Sequence, residues 1–217
     1  MFPLRDNVSS RSWPLITLLL IAANFYVFYQ ELLLSDPALQ RLIAAWGLVP
    51  AQFLADLAGR PFSPGTYLPL VANLFLHGGW LHIIGNMWYL WIFGDNIEDC
   101  LGKTRFLYFY LICGIIANLS QIVVDPGSTV PTIGASGAVS GVLGAYLMLY
   151  PRARISVFIF ILLPIIQVRA WLFLPLWFLL QLQNGTAALF MSGANIAWWA
   201  HIGGFLAGLV LARLMKH

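Results

Sequence analysis

The chain has 217 residues, of which 60% are apolar and only 9% carry a charge. Soluble domains are nearer half apolar and a quarter charged, so this composition excludes a soluble globular protein and predicts a polytopic protein of the lipid bilayer. The net charge of +3 is explained by membrane topology, so we expect no nucleic-acid partner. The two cysteines lie in or beside apolar segments without metal-ligand spacing, so we also expect no metal.

Six segments are long and apolar enough to predict membrane-spanning helices, each of which needs about 20 largely apolar residues. The connection between the first two, Ser35 to Gly79, is too polar and too rich in proline to span, so we expect a loop partly sunk in the membrane interface. In chain order, the six predicted helices cover residues 12–34, 81–97, 104–124, 136–150, 169–183 and 198–215.

The fifth segment allows two interpretations. Residues 155–181 are apolar throughout except for Pro164, Arg169 and Pro175 and a few uncharged polar side chains. An arginine at the centre of a spanning helix costs about 2.5–3.5 kcal/mol. We therefore favour an interfacial segment over residues 155–168 followed by a helix that begins near Arg169, and the alternative is that 155–168 belongs to the fifth helix.

Basic residues are distributed unevenly between the loops. With six spans, only Arg41 and Arg60 fall on one side of the membrane, and most of the other basic residues fall on the opposite side. The positive-inside rule then predicts that both termini are cytoplasmic and that the long first loop faces out. The absence of a cleavable signal or transit peptide favours a prokaryotic cytoplasmic membrane.

Polar residues of three predicted helices converge in one layer of the membrane. His82 and Asn86 lie near the start of the second helix, Ser136 starts the fourth, and His201 lies near the start of the sixth. All three helices enter from the outer face, so these residues lie within about two helical turns of the same boundary. Polar groups inside a bilayer are costly and tend to be functional, so the layer is a candidate site.

Small residues on the fourth and sixth helices predict how two of these groups meet. Gly137 and Gly141 form a strip beside Ser136, and Gly204 and Gly208 share a face with His201. Small faces let two helix backbones approach closely, which would bring Ser136 and His201 within side-chain reach. Such a pair can act as nucleophile and general base. His82, Asn86 and the Ser136 backbone N–H could then donate hydrogen bonds to a developing oxyanion.

Four sequence motifs carry a family resemblance. The segments Gly134-Ala-Ser-Gly137, Ala200-His-Ile-Gly-Gly204 and His82-Ile-Ile-Gly-Asn86 together resemble the rhomboid intramembrane serine proteases. Gly94-x-x-x-Glu98-x-x-x-Gly102 resembles another motif of that family with a structural role. The match runs from the first predicted helix to the sixth, in the right order and spacing.

The resemblance implies an all-α fold, a single domain over residues 1–217 with six transmembrane helices around a short central fourth helix. It implies Ser136 as nucleophile, His201 as its base and His82 and Asn86 as oxyanion donors, with no third acidic residue, no metal and no organic cofactor. Some members carry an aromatic residue four positions after the nucleophile, stacked on the catalytic histidine, where this chain has Ser140. The structural positions are Gly134, Gly137, Gly141, Glu98, Gly204 and Gly208.

The predicted function is an intramembrane serine endopeptidase that cleaves transmembrane protein substrates near the outer face. By analogy with the family, the fifth helix and the loop 184–197 form the gate. Glu98 is expected to cap or tie the end of the second helix and the loop that follows, and His77 is interpreted as a loop histidine outside the motifs. Two alternatives are a catalytically silent rhomboid-like protein that binds client helices, and a small transporter, which would need polar residues at mid-membrane.

Overall fold

A computed structural model describes residues 2–159, 165–188 and 197–216, and these ranges are mostly helical. The elements in chain order are β1 (Phe2–Asp6), α1 (Leu15–Leu32), α2 (Asp36–Trp46), α3 (Pro50–Gly59), α4 (Pro64–Tyr67), α5 (Pro69–Ala72), a 3-10 turn (Asn73–Phe75), α6 (Trp80–Leu101), α7 (Lys103–Val124), α8 (Ser136–Leu149), β2 (Arg154–Phe158), β3 (Ile165–Arg169), α9 (Ala170–Ala188) and α10 (Trp198–Met215).

The helices α1, α6, α7, α8, α9 and α10 occupy the six segments that the sequence predicted as spans. Among the described helices, α1, α7 and α10 are long and apolar enough to cross a membrane. A fourth span results if α6 is joined to the helical stretch Pro64–Phe75, from which it is bent by 85°. α8 is apolar but has only 14 residues. Length and composition therefore support three or four spans, and a count of six is a proposal.

The first connection is helical, which differs from the predicted loop. α2, α3, α4 and α5 each carry a proline within their first two positions. Proline fixes φ near the helical value and lacks only an N–H that the first turn would leave unpaired, so it is well suited to begin a helix. Four of the five prolines in this segment therefore mark the starts of short helices, and Pro61 lies in the turn between α3 and α4.

The prediction of an all-α fold is wrong in one respect, because the chain contains a three-stranded antiparallel sheet in the order β1-β2-β3. β2 and β3 fall in the segment predicted to be interfacial, and residues 160–164 between them lie outside the described residues. β2 lies at the centre, where its three middle residues are buried. Its partner β1 comes from the polar N-terminal segment about 150 residues away, with Pro3 opposite Val157. A pairing over that distance leaves no local pattern in the sequence.

The sheet is attached to the helices through Asp6 at the end of β1. The Tyr146 hydroxyl of α8 donates a hydrogen bond to its carboxylate, and Asn96 Nδ2 of α6 donates another at 3.0 Å. Burial raises the pKa of Asp6 to about 6, and the hydrogen bond from Tyr146 opposes that rise. The carboxylate is therefore mainly ionised at neutral pH and accepts both hydrogen bonds.

The motif Gly94-x-x-x-Glu98-x-x-x-Gly102 joins α6 to α1. The Glu98 side chain is buried and accepts hydrogen bonds from Ile16 N at 2.9 Å and from Thr17 N and Oγ1 at 2.8 Å each. These backbone N–H groups belong to the first turn of α1, where a helix has no acceptor of its own. Gly94 passes so close to Thr17 that a Cβ would lie 3.1 Å from its methyl carbon. Glu98 therefore caps α1, and the expectation that it ties α6 to the following loop is wrong.

α8 and α10 pack with their backbones in direct contact. A Cβ added to Gly204 would overlap the carbonyl oxygen of Gly137, and one added to Gly208 would overlap that of Gly141. In the other direction, a Cβ on Gly144 would overlap the Phe205 carbonyl oxygen. Every residue of α8 from 137 to 146 is buried. These glycines set the distance between the two helices.

We predict that Gly208→Ala lowers the free energy of unfolding by about 1–3 kcal/mol, because the methyl group must displace the Gly141 carbonyl and push α10 away from α8. Gly85→Ala is the matched control, because Gly85 lies inside α6 and its added Cβ would meet nothing within 4 Å. Thermal unfolding in detergent should show a lower midpoint for the first variant and an unchanged or higher one for the control. Equal midpoints would contradict the packing argument.

We also predict that Glu98→Gln destabilises the protein by about 1–3 kcal/mol. The amide has one acceptor oxygen where the carboxylate has two, so at least one donor in the first turn of α1 loses its partner in a buried position. Denaturant unfolding of the two proteins measures the difference. Asp56→Asn, which removes an exposed ion pair with Arg60, is the control and should change stability little.

Candidate active site

Ser136 and His201 meet across the closely packed helices α8 and α10. Ser136 is the first residue of α8, and its Oγ lies 2.8 Å from His201 Nε2. Both side chains are half-buried. The contact follows from the packing, because the glycine strips of the two helices begin within three residues of Ser136 and His201. The hydroxyl can therefore donate its proton to the imidazole, which is the arrangement of a nucleophile and its general base.

The second ring nitrogen of His201 has a partner that the sequence analysis did not identify. His201 Nδ1 lies 2.8 Å from Oε1 of Gln181, a buried residue of α9. An amide oxygen only accepts hydrogen bonds, so this geometry assigns the proton to Nδ1 and leaves Nε2 as the acceptor for the serine hydroxyl. In the sequence, the only sign of this partner was a polar residue within a predicted apolar helix.

Ser140 does not orient His201. Its hydroxyl donates a hydrogen bond to the Ser136 carbonyl oxygen at 2.6 Å, one turn back along α8. Aromatic rings come from other elements: Trp177 of α9 lies 6.4 Å from the His201 ring at 32°, and Trp198 of α10 lies 5.8 Å away at 85°. The ring that some family members place on α8 is therefore replaced by tryptophans from α9 and α10.

His82 and Asn86 lie on one face of α6 and line the same cavity as Ser136 and His201. Ser136 begins α8, so its backbone N–H has no acceptor within the helix. Gly134 adopts φ +117°, and an added Cβ there would lie 2.5 Å from His82 Nε2. Only glycine combines that backbone conformation with so close an approach. Gly134 therefore lets the segment before α8 pass directly over His82.

His77 lies in the loop before α6, as predicted, and it contacts two residues of the candidate site. It is buried, and its Nε2 lies 3.1 Å from Asn86 Nδ2. Its backbone N–H is 3.2 Å from each carboxylate oxygen of the buried Glu31, at the end of α1. Its ring lies edge-on to His82 with 5.0 Å between centroids. His77 thus holds the loop before α6 and accepts one N–H of Asn86, which leaves the other N–H available.

The cavity beside these residues has a volume of about 690 Å³. It is open to the surface, and polar groups of α6, α7, α8 and α9 line it together with tryptophans and aliphatic side chains. One of them, Gln121 of α7, is buried and its Oε1 has no partner in the part of the chain that the structure describes. Buried polar atoms of this kind are commonly satisfied by ordered water, so the cavity is suited to admit it.

The predicted site residues fall into two groups. Ser136, His201, His82 and Asn86 share one cavity, whereas Glu98 lies at the other end of α6, where it holds α1. The predicted structural glycines lie at the α8–α10 contact, apart from Gly134 beside His82. Over the described ranges, no group of three or more histidine, cysteine, aspartate or glutamate side chains could hold a metal ion. The groups present can perform acyl transfer to a serine.

Comparison with known proteins identifies relatives of this chain. A family model described as the rhomboid domain matches residues 64–217. The presenilin-associated rhomboid-like protein A, mitochondrial, of Danio rerio is 30% identical over 180 residues, which cover 80% of this chain and 41% of that protein. The human presenilin-associated rhomboid-like protein, mitochondrial, is 30% identical over 200 residues, which cover 88% of this chain and 45% of that protein.

A third relative is a Bacillus subtilis protein, YdcA, whose name proposes a rhomboid protease. It is 38% identical over 85 residues, which cover 39% of this chain and 42% of that protein. The matched segment thus covers less than half the length of each of these three relatives. The family to which the matched domain belongs includes intramembrane serine proteases, and it acts on transmembrane substrates in the lipid bilayer.

These relatives correct the predicted location. The Danio rerio and human relatives, which match over most of the chain, are named as mitochondrial proteins, and this contradicts a prokaryotic membrane. The prediction of a prokaryotic cytoplasmic membrane, with cytoplasmic termini and a site open to the outer side, is therefore wrong. The choice of a prokaryotic membrane rested on the absence of a leader, and the first residues of a sequence that matches only part of its relatives carry no information about a leader. The sidedness rested on the positive-inside rule applied to that membrane.

We predict that His77 and Asn86 are energetically coupled. The free energies of unfolding of His77→Ala, Asn86→Ala and the double variant should differ from additivity by about 0.5–3 kcal/mol, because each single change already breaks the Nε2–Nδ2 contact. Additive effects would contradict a direct interaction. The pair Ser120 and His77, which lie on elements with separate hydrogen-bond partners, is the control and should be additive.

Proposed function

The chain belongs to the rhomboid family, and we propose that it is an intramembrane serine endopeptidase with a Ser136–His201 dyad. The observation that carries the proposal is the distance of 2.8 Å between Ser136 Oγ and His201 Nε2, beside a cavity large enough for several residues of a peptide. The matched segment covers less than half of each mitochondrial relative, and we propose that residues 1–217 contain all of the catalytic groups as one domain.

The proposed membrane arrangement has six spanning helices around a central α8. α8 has 14 residues and is too short to cross a bilayer of about 30 Å alone, so its N-terminus begins below one membrane surface. The segment that leads down to Ser136 has polar backbone groups, which are tolerable only inside protein or beside water. Its backbone is paired accordingly: Gly134 N donates to the Asn73 carbonyl oxygen at 2.8 Å.

The proposed reaction begins when Ser136 Oγ attacks the carbonyl carbon of the scissile peptide bond and His201 Nε2 takes the hydroxyl proton. The C–N bond then breaks, and Nε2 gives that proton to the leaving amine. A water molecule from the cavity attacks the resulting ester, His201 accepts one of its protons, and the C–O bond to Ser136 breaks as the proton returns to Oγ. Each of the two attacks requires a neutral His201 ring with its proton on Nδ1, and each bond-breaking step that follows starts from the doubly protonated ring.

The developing oxyanion in this mechanism is stabilised by donors on two helices. Asn86 Nδ2 has one N–H that is directed to His77 and a second that is available for the substrate. The Ser136 backbone N–H and a ring N–H of His82 are the other donors. Preorganised donors of this kind each contribute about 10²–10³-fold in rate.

The proposed substrates are transmembrane helices of other membrane proteins, as the family acts on such substrates. A peptide bond inside a helix is shielded and its carbonyl is hydrogen-bonded, so the substrate must partly unwind before Ser136 can attack. The proposed gate for its entry is the predicted one, the fifth helix and the residues 184–197 that follow it, of which 184–188 belong to α9. α9 extends to Ala188, five residues beyond its predicted end, and residues 189–196 of the loop lie outside the described residues.

We predict that a fluorophosphonate probe labels the detergent-solubilised protein, and that Ser136→Ala abolishes labelling because it removes the nucleophile. His201→Ala should lower the labelling rate by at least about 10³-fold, because the serine loses its base. Ser120→Ala is the matched control: Ser120 is also a half-buried helical serine, but its hydroxyl is bonded to the carbonyl of Ile116 in α7. Its labelling should equal that of the wild type.

The same proteins in liposomes with a test transmembrane peptide complete the experiment. Cleavage that requires both Ser136 and His201 would support the peptidase. A folded wild-type protein that neither reacts with the probe nor cleaves the peptide would favour the silent client-binding alternative. Labelling that survives Ser136→Ala would mean that another residue is the nucleophile.

A further inference from the structure

We propose that Gln181 of α9 is a positioning residue that orients the His201 ring and fixes its tautomer for catalysis. This inference rests on the proposed peptidase function. His201 Nδ1 lies 2.8 Å from Gln181 Oε1, and Nε2 of the same ring lies 2.8 Å from Ser136 Oγ. The three side chains therefore form a continuous chain of hydrogen bonds from α9 through α10 to α8.

The amide oxygen of Gln181 determines which atom donates and which accepts in each of these hydrogen bonds. Gln181 Oε1 can only accept, so Nδ1 must be the protonated nitrogen, and Nε2 is left with its lone pair toward the serine hydroxyl. The opposite tautomer would place an N–H against Oγ and could not take the serine proton. An acidic third residue would give the same direction together with a negative charge. Here a neutral acceptor occupies that position.

The surroundings of Gln181 indicate that its polar side chain has a specific partner. Its side chain is buried, while the neighbouring Leu179 and Leu180 are 57% and 46% exposed on the remainder of α9. A buried amide without a partner is costly, so Gln181 and the Nδ1 of His201 satisfy each other. Trp177 lies one turn before Gln181 on the same face of α9, and its ring lies beside His201. α9 thus supplies both a wall and an acceptor for the ring.

A purely structural role for the same hydrogen bond would be to satisfy two buried polar groups and hold α9 against α10. The two roles differ in what they change. A structural contact affects stability, whereas a positioning contact also affects the proton affinity of Nε2 and the rate of serine attack. The other titratable side chain that interacts electrostatically with His201 is His82 of α6, and it is unchanged in every Gln181 variant.

The location of Gln181 also links the orientation of the base to α9. Ser136 and His201 lie on α8 and α10, whose distance is set by backbone contacts at glycines. Gln181 lies on α9, whose Gly185 packs against side chains of α10, Trp198 and Ile202, and not against its backbone. A displacement of α9 would therefore break the bond to Nδ1 while Ser136 and His201 stay together.

The test compares Gln181→Met, Gln181→Glu and the control Gln183→Met with the wild type. Methionine has a similar length but offers no comparable acceptor, and Gln183 is exposed two residues further along α9. The rate of fluorophosphonate labelling is measured across pH, and kcat and KM are measured with a transmembrane peptide in liposomes. Thermal unfolding of each variant reports its folding.

For Gln181→Met we expect labelling and kcat to fall about 10- to 100-fold, because one orienting hydrogen bond is lost, with KM within about twofold of the wild type. For Gln181→Glu we expect activity to be retained, with the midpoint of the acidic limb of the labelling profile moved to higher pH, since a carboxylate beside Nδ1 favours the charged ring. Gln183→Met should match the wild type in both assays.

Three results would overturn the proposal. The first is a folded Gln181→Met protein with wild-type labelling and kcat. The second, which applies even if that variant fails to fold, is a folded Gln181→Glu protein whose acidic midpoint does not move. The third is an equal loss in Gln183→Met. Failure of the peptidase proposal itself looks different, because the wild-type protein would then show no labelling at Ser136.

Discussion

The close approach of α8 and α10 is the constraint on which the site depends. Carbonyl oxygens of Gly137 and Gly141 occupy the space where Gly204 and Gly208 would carry a Cβ. Inside a membrane there is little hydrophobic force between helices, so association depends on this kind of close van der Waals packing. Any larger residue at these positions would separate the helices and remove His201 from the reach of Ser136. The contact between Ser136, at the N-terminus of α8, and His201 thus depends on the small residues along α8.

Buried polar groups explain much of the remaining arrangement. A polar side chain in an apolar interior is costly unless it is paired, and each partner here comes from a different structural element. His77 pairs with Asn86, Gln181 with His201, Asn73 with Asn118, and Glu98 with the first turn of α1. Each pair joins two helices or a loop and a helix. The requirement to satisfy these groups therefore both assembles the bundle and positions the groups that would act on a substrate.

The errors of the sequence interpretation have physical causes. Prolines were taken as interruptions, although at the first position of a helix they are favourable, so four short helices were missed. The sheet was missed because β1 and β2 are separated by about 150 residues, and neither strand is long enough to be recognised alone. The contact of His77 with Asn86 was missed because His77 lies outside the motifs and Asn86 lies nearly two turns into the next helix. The location was wrong because it was inferred from an absence.

The sequence by itself determined the elements with local signals: the six apolar helices, the small-residue strips, and the spacing that puts His82 and Asn86 on one face of α6. These follow from the helical period and from hydropathy, which each segment carries within itself. Only the tertiary structure decided which nitrogen of His201 faces Ser136, that Gln181 accepts from the other, and that His77 faces Asn86. Those relations depend on the distance and rotation between helices, and no single segment contains that information.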